Sequence, residues 1–275
     1  MKPVVLLVLF CIGCIGCPGD SGAPHLARGN VLINNGKREE AAAEYREAAR
    51  LMPRSQQARE RLGDVLYDLG KLDEALAAYR DAYSVDSTAV TPRIGAARVL
   101  TDKGDFASAR AELTAANERA PTNLFVLLSR GNLASRMGDK KAALADSETA
   151  VHLQSDNVAA LYQYGLALLD DGQVPEAGRT FDRIVQRAPA SPTGWFGRAK
   201  LAAHEGQAAA AGSALAEARK RVADDARRGL AEQGLAGEGL DQRAAEAAKR
   251  SLESMERDPA FARFAADAAF RAALR

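Results

Sequence analysis

Aromatic residues make up only 5% of this 275-residue chain. So few large flat side chains argue against a β-sandwich core, and a 47% hydrophobic, alanine-rich composition points to helices packed closely through small side chains. Cysteine is scarce as well. Cys11, Cys14 and Cys17 are the three in the chain, which excludes a disulfide framework or a paired-cysteine zinc site from the body. Neither sign of charge is in excess: 37 Lys+Arg face 36 Asp+Glu, for a net charge of +1. That balance excludes a basic nucleic-acid binder, and no polybasic run attracts anionic lipid. Length allows one large or two small domains at roughly 100–200 residues each.

Signatures of chemistry are missing too. His25, His152 and His204 form no HExxH or HxH pattern. There is no GxSxG elbow, no GxxxxGK[ST] loop and no strand-borne GxGxxG. The glycine-rich stretch Gly234-Leu235-Ala236-Gly237-Glu238-Gly239 follows helical sequence rather than a strand. Asp170-Asp171 and His204-Glu205 fall at helix ends, as solvated features and not ligands. The chain is read as a non-enzyme with no metal, no cofactor and no small-molecule substrate.

What is present begins at the N-terminus. After Met1-Lys2-Pro3 comes an apolar run of 12 residues, Val4 to Ile15, broken only by Gly13. It is short of the roughly 20 residues that a helix needs to cross a bilayer, and fits the apolar core of a secretory signal. A small residue then precedes a cysteine, Gly16 before Cys17, and the breaker-rich Pro18-Gly19-Asp20-Ser21-Gly22 follows. This resembles a bacterial lipoprotein signal, which implies residues 1–16 as signal peptide, lipidation of Cys17, and a tether over 17–24. Cys14 after Gly13 repeats the local pattern and is the alternative. Cys14, three residues before Cys17 where the family usually has leucine, departs from that pattern. Because Asp20 is not directly beside Cys17, the resemblance implies the outer membrane, periplasmic face, and not inner-membrane retention.

The rest of the chain repeats itself. Gly36, Gly70, Gly104, Gly138, Gly172 and Gly206 recur every 34 residues without a slip. Five residues on, so do Ala41, Ala75, Ala109, Ala143, Ala177 and Ala211. A small residue precedes each glycine by seven: Gly29, Gly63, Ala97, Gly131, Gly165 and Ala199. Bulky residues recur at Tyr45, Tyr79, Leu113, Phe181 and Leu215, broken once by Ser147. A strict period of this length means stacked helical units, none of which buries its apolar face alone. Each glycine should end a first helix in the left-handed conformation, and Pro53, Pro121 and Pro189 should close alternate units.

With Leu62-Gly63, Leu66, Gly70, Asp73-Glu74-Ala75, Tyr79 and Ala82 as its clearest unit, the pattern resembles the tetratricopeptide repeat. The resemblance covers 22–225 as six units: 22–55, 56–89, 90–123, 124–157, 158–191 and 192–225. It implies an all-α, right-handed superhelical solenoid, with 226–275 as a C-terminal helical cap. Within that cap, Asp241 to Arg257 reads as an amphipathic helix, and Asp258-Pro259 as an N-cap with proline at the first helical position. Phe261, Phe264, Ala265, Ala268 and Ala272 then fall on one expected face. Capping the open end of the array is one role for this region; docking a partner through Phe261 and Phe264 is the other.

In the tetratricopeptide family the first helices line a partner-binding groove. Laid on that register, units four to six present Phe125, Leu128, Tyr162, Leu166, Leu169 and Phe196. Units one to three present Asn30, Asn34, Glu60, Asp64, Tyr67, Asp68, Arg98 and Asp102. Apolar anchors late and polar residues early suit a peptide or partner helix, although several of the apolar side chains could equally pack between neighbouring helices. Leu26 stands where chaperone-tail-binding relatives carry lysine, which counts against that ligand. Export signal and six repeats together resemble the outer-membrane lipoproteins that assist type IV pilus secretin assembly. That likeness implies a secretin subunit as partner. An adaptor for peptidoglycan hydrolases or proteases, or a structural part of a motility or secretion complex, are the alternatives.

Overall fold

The computed structural model describes residues 22–232 and 238–274, so Cys14, Cys17 and the proposed signal lie outside the described residues. All regular structure among the described residues is helical. The chain divides into two compact units, residues 1–95 and 96–275. The first holds α1 (Ala23–Asn34), α2 (Arg38–Leu51), α3 (Gln56–Asp68) and α4 (Leu72–Val85). The division falls inside α5 (Thr91–Asp102). The second unit continues through α6 (Phe106–Arg119), α7 (Leu124–Arg136), α8 (Lys140–Leu153), α9 (Val158–Asp171), α10 (Val174–Arg187), α11 (Pro192–His204) and α12 (Ala208–Glu232).

The turns inside the repeats follow directly from their glycines. Every positive φ among the described residues belongs to the 34-residue glycine series, from +73° at Gly36 to +86° at Gly172. In each case the next residue's N–H reaches back to the carbonyl four residues before the glycine. Examples are Lys71 N–H to Leu66 O, 2.9 Å, and Gln173 N–H to Leu168 O, 2.8 Å. This bond satisfies a carbonyl that a helix end would otherwise orphan, and it needs the left-handed residue before it. Helix starts are capped by side chains where the sequence offers them. Ser55, Asn123, Asn157 and Ser191 accept N–H bonds at the starts of α3, α7, α9 and α11.

Packing within each helix pair rests on complementary sizes. The repeating alanines are buried, Ala41, Ala75, Ala109, Ala177 and Ala211 at 0% exposure and Ala143 at 4%. Phe181, also at 0%, lies between α9 and α11 against two glycines. A Cβ on Gly165 would stand 2.5 Å from its ring, and one on Gly197 2.2 Å. Tyr45 sits against Gly29, and Tyr79 against Gly63, in the same way. Where the bulky place holds leucine (Leu113, Leu215), the matching small place holds alanine (Ala97, Ala199). Burying such side chains contributes about 1.5–3 kcal/mol each.

Beyond residue 225 the chain is helical as expected of a cap, with helix bounds of its own. Helix α12 runs unbroken to Glu232, because the sixth unit has no proline or serine stop like Pro189 and is followed by helix-forming residues. Next come α13 (Glu238–Glu256), a 3₁₀ turn (Pro259–Phe264) and α14 (Ala268–Leu274). Leu240, Ala244 and Ala248, spaced by four, are the buried stripe of α13, which packs on α12. Asp258 accepts the Ala260 N–H at 2.9 Å, starting the 3₁₀ turn at Pro259 as its sequence suggests. The single face expected over 261–272 does not form. Asp267 starts a new helix by accepting the Phe270 N–H, which resets the phase. Ala265, Ala268 and Ala272 are exposed, and Phe270 joins Phe261 and Phe264 in the core. These three phenylalanines cover Ala199, Ala202, Ala203, Ala211 and Leu215 of α11 and α12. They therefore close the apolar end of the last repeat and do not stand out as docking groups.

Candidate partner-binding groove

Several of the polar groove residues of the early repeats turn out to be engaged in the fold, beginning with Asn30 and Asp64. Tyr45 and Tyr79 are the bulky residues of units one and two, and each carries a hydroxyl that burial must satisfy. The Tyr45 hydroxyl donates to Asn30 Oδ1 at 2.8 Å, and the Tyr79 hydroxyl to Asp64 Oδ1 at 2.7 Å. Asn30 and Asp64 are 34 apart, so this is one bond repeated. Burial pushes the Tyr45 phenol up from its ordinary value. Glu60, one turn before Asp64, is also pushed up by burial, with the Asp64 charge adding to it. Tyr67 is half-buried and Asp68 pairs with Arg38 at 3.6 Å.

In the second unit the first helices are laced at their C-terminal ends. Arg136 reaches Asp102 Oδ1 at 3.1 Å and the Thr101 carbonyl at 3.2 Å. The Ser135 hydroxyl lies 3.4 Å from Asp170. Arg98 is exposed. The apolar candidates behave in three ways. Phe125 is 67% exposed. Leu128 (9%) and Leu169 (6%) are buried in helix-packing clusters, so they serve the core. Tyr162, Leu166 and Phe196 are half-buried on α9 and α11. The Tyr162 ring stacks on Phe196 at 6.5 Å between centroids and meets Phe181 at 6.1 Å.

The C-terminal segment meets this pair at Phe196. Phe261 packs on Phe196 with centroids 5.9 Å apart. Lys200, which occupies in unit six the place of Leu166 in unit five, pairs with Asp258 at 3.2 Å and lies 5.7 Å from the Phe196 ring centre. Burial, with a smaller contribution from the Asp258 charge, pushes the Tyr162 phenol well above its ordinary range. The segment separates two clefts. One, of about 750 Å³, runs between Ala159, Tyr162, Thr193 and Phe196 on the repeat side and Ser251, Ser254 and Met255 on α13. The other, of about 590 Å³, lies between Leu166, Leu169, Lys200 and His204 and the turn residues Pro259, Ala260 and Arg263. The sequence reading missed Lys200, Met255 and Asp258 as parts of this surface. The available signal was Lys200 itself, a charge on a first helix four residues after Phe196 and 34 after Leu166, since a half-buried ammonium calls for an acid nearby.

Among the described residues no cluster of three His, Cys, Asp or Glu side chains could hold a metal ion. No described helix is long and apolar enough to cross a membrane. What the arrangement offers is apolar area flanked by a few charges, which suits a polypeptide ligand. Comparison with known proteins agrees on the architecture. One tetratricopeptide-repeat model matches residues 26–89 and 128–192, and a second matches 66–124, together more than half of the chain. The chain belongs to the tetratricopeptide-repeat family. Among curated proteins it is similar to the human DnaJ homolog subfamily C member 3, 33% identical over 86 residues. That match covers 31% of this chain and only 17% of the relative's length. Among solved structures, a tetratricopeptide protein from Parabacteroides merdae superposes with a TM-score of 0.60 at 20% identity, covering 93% of this chain and 98% of that one. PilW, described as a widely conserved type IV pilus biogenesis factor, gives a TM-score of 0.61 at 18% identity over 71% of this chain and 91% of its own. Tetratricopeptide arrays are protein-interaction scaffolds, and Tyr162, Leu166 and Phe196 are the half-buried apolar candidates on the first helices of this one.

Proposed function

We propose that this protein is a non-enzymatic, periplasm-facing lipoprotein of the outer membrane, anchored through a lipid on Cys17, that holds a type IV pilus secretin subunit while it inserts or assembles. The observation that carries the reading is the apolar lining of units five and six: Tyr162 and Phe196 line one cleft and Leu166 another, on a repeat array whose fold is shared with a pilus biogenesis factor. The lipoprotein-like sequence before residue 18 supports the address. Positioning is the mechanism. A membrane anchor confines scaffold and client to one surface, which raises their effective concentration without any added contact, and the groove supplies the specific one.

The decisive experiment is deletion of the gene followed by gel analysis of heat-resistant secretin multimers. Loss of multimers, restored by the wild-type chain and not by Cys17→Ala, is the expected result. Normal multimers in the deletion strain end the secretin reading. Palmitate labelling of the wild-type chain should vanish in Cys17→Ala, and label that survives there but disappears in Cys14→Ala moves the anchor to Cys14.

A further inference from the structure

The Phe196 and Lys200 side of α11 is covered by the chain's own C-terminal segment. Three features hold the segment there. The Asp258 carboxylate meets Lys200 Nζ at 3.2 Å, with both side chains largely buried at 18% and 24% exposure. Phe261, 2% exposed, packs on Phe196. Pro259 lies between them, and Asp258 also accepts the Ala260 N–H, so carboxylate and ring are fixed three residues apart on a stiff turn. The receiving groups, Phe196 and Lys200, are four residues apart on α11 and therefore neighbours on one helix face.

Lys200 makes the selection chemical. An ammonium beside Phe196 and Leu166 costs free energy unless an acid meets it, and the acid present is the segment's own. The clefts of about 750 and 590 Å³ are each walled on one side by the segment itself, through Ser251, Ser254 and Met255 and through Pro259, Ala260 and Arg263. Because the segment belongs to the same chain, it competes at the effective concentration of a tethered ligand.

We propose that this face is a binding site for a protein segment that carries a carboxylate three residues before an aromatic ring on a proline-braced turn, and that residues 251–264 are its built-in competitor, displaced when the partner segment binds. The proposal rests on the groove reading above and adds to it the chemistry of the ligand. A partner extending past the turn gains the repeat-side walls of both clefts, Ala159 and Thr193 in one and Leu166 and His204 in the other.

The test uses the full chain and a fluorescent peptide of residues 251–266, followed by anisotropy. Chains carrying Phe261→Ala or Asp258→Ala, whose own segment is loosened, should bind the peptide about tenfold or more tightly than wild type. Adding Lys200→Glu to either chain should abolish that gain, and a peptide carrying Asp258→Lys should regain binding to the Lys200→Glu chain. Asp258→Ala removes no apolar contact, so it serves if Phe261→Ala disorders the cap. Bound peptide should also increase amide exchange in α13. Equal affinity for wild type and both loosened chains, a gain that survives Lys200→Glu, or undiminished protection of α13 overturns the proposal. No client protein enters this assay, so its failure leaves the secretin reading standing. Conversely, intact secretin multimers in the deletion strain leave this site untouched.

Discussion

Replacing Gly165 by alanine should destabilise the fifth and sixth repeats, and shortening Phe181 to leucine should undo the damage, while the same shortening should fail to rescue Gly197→Ala. The Phe181 ring is fully buried between these two glycines. A Cβ at 165 would lie 2.5 Å from Cε1, 2.8 Å from Cζ and 3.0 Å from Cδ1. A Cβ at 197 would lie 2.2 Å from Cδ1, 2.6 Å from Cε1 and 2.7 Å from Cγ. Ordinary carbon contacts are about 3.5–4.0 Å, so the ring must retreat by roughly 1 Å, and each glycine blocks retreat from the other. Such overpacking costs about 1–3 kcal/mol, offset by about 1 kcal/mol from the better helix propensity of alanine. Leucine lacks Cε1 and Cζ, the two atoms nearest position 165, but keeps Cγ and a Cδ, which press on position 197. Gly165→Ala with Phe181→Leu should therefore show a favourable coupling of about 1–2 kcal/mol, and Gly197→Ala with Phe181→Leu almost none. Trp195, the single tryptophan, lies on α11 two residues before Gly197 and under the Arg221 guanidinium at 4.5 Å, so its fluorescence reports urea unfolding of the sixth repeat. At about 2 kcal/mol per molar urea, the rescue moves the midpoint by roughly 0.5–1 M. Additive effects for the first pair, or equal rescue of both glycine variants, would refute this packing account.

Three further outcomes follow from individual residues. Gly172→Ala puts an L side chain at φ +86°, where no heavy atom lies within 4 Å of the new Cβ, so the cost is backbone alone, about 1–2 kcal/mol by thermal melting, and less for Gly172→Asn. Glu44 and Glu60 should act in opposite directions with pH. The His25 hydrogen bond holds Glu44 below its ordinary value of 4.5, so its contribution is complete above pH 4.5 and lost as pH falls through the lower folded value. Burial raises Glu60, so its ionisation penalty is complete above the raised value and gone below pH 4.5. Accordingly Glu44→Gln should lower the melting temperature near neutrality and Glu60→Gln should raise it, with both differences vanishing in acid. Gly212→Ala would set a Cβ 2.7 Å from the Phe270 carbonyl oxygen, and should detach α14, read as faster amide exchange over 268–274 with the repeats unchanged.

The repeat architecture was legible because its constraints are local and recur. A left-handed turn admits glycine and little else, so six glycines 34 apart mark six helix ends, and the structure places each at positive φ. Size complementarity was legible in the same way: glycine opposite Tyr45, Tyr79 and Phe181, alanine opposite Leu113 and Leu215. The end of the array was harder to read, since a stop signal is needed to see a helix end. The sixth unit lacks one, and α12 runs on to Glu232. Phase was lost again after Phe264, where a 3₁₀ turn and the Asp267 cap break the one-face spacing that a continuous helix would have kept.

The groove was legible as a set of places on first helices, but not as a surface, because what occupies it comes from residues outside the period. Leu128 and Leu169 show one half of the difficulty. A side chain facing the groove in register can still be covered by the neighbouring helix, and spacing within one helix does not report on that neighbour. Lys200 and Asp258 show the other half. They lie 58 residues apart, and pairing between a repeat and a non-repeating tail has no periodic signature. The place itself is polar in every unit but the fifth, as Asn30, Asp64, Arg98, Asn132 and Lys200 against Leu166, so Lys200 keeps the pattern, and its meaning depends on the energetics of a half-buried charge beside apolar neighbours. In this chain the strict positions describe how the scaffold is built, while a position that varies between repeats, Leu166 in unit five and Lys200 in unit six, faces the C-terminal segment.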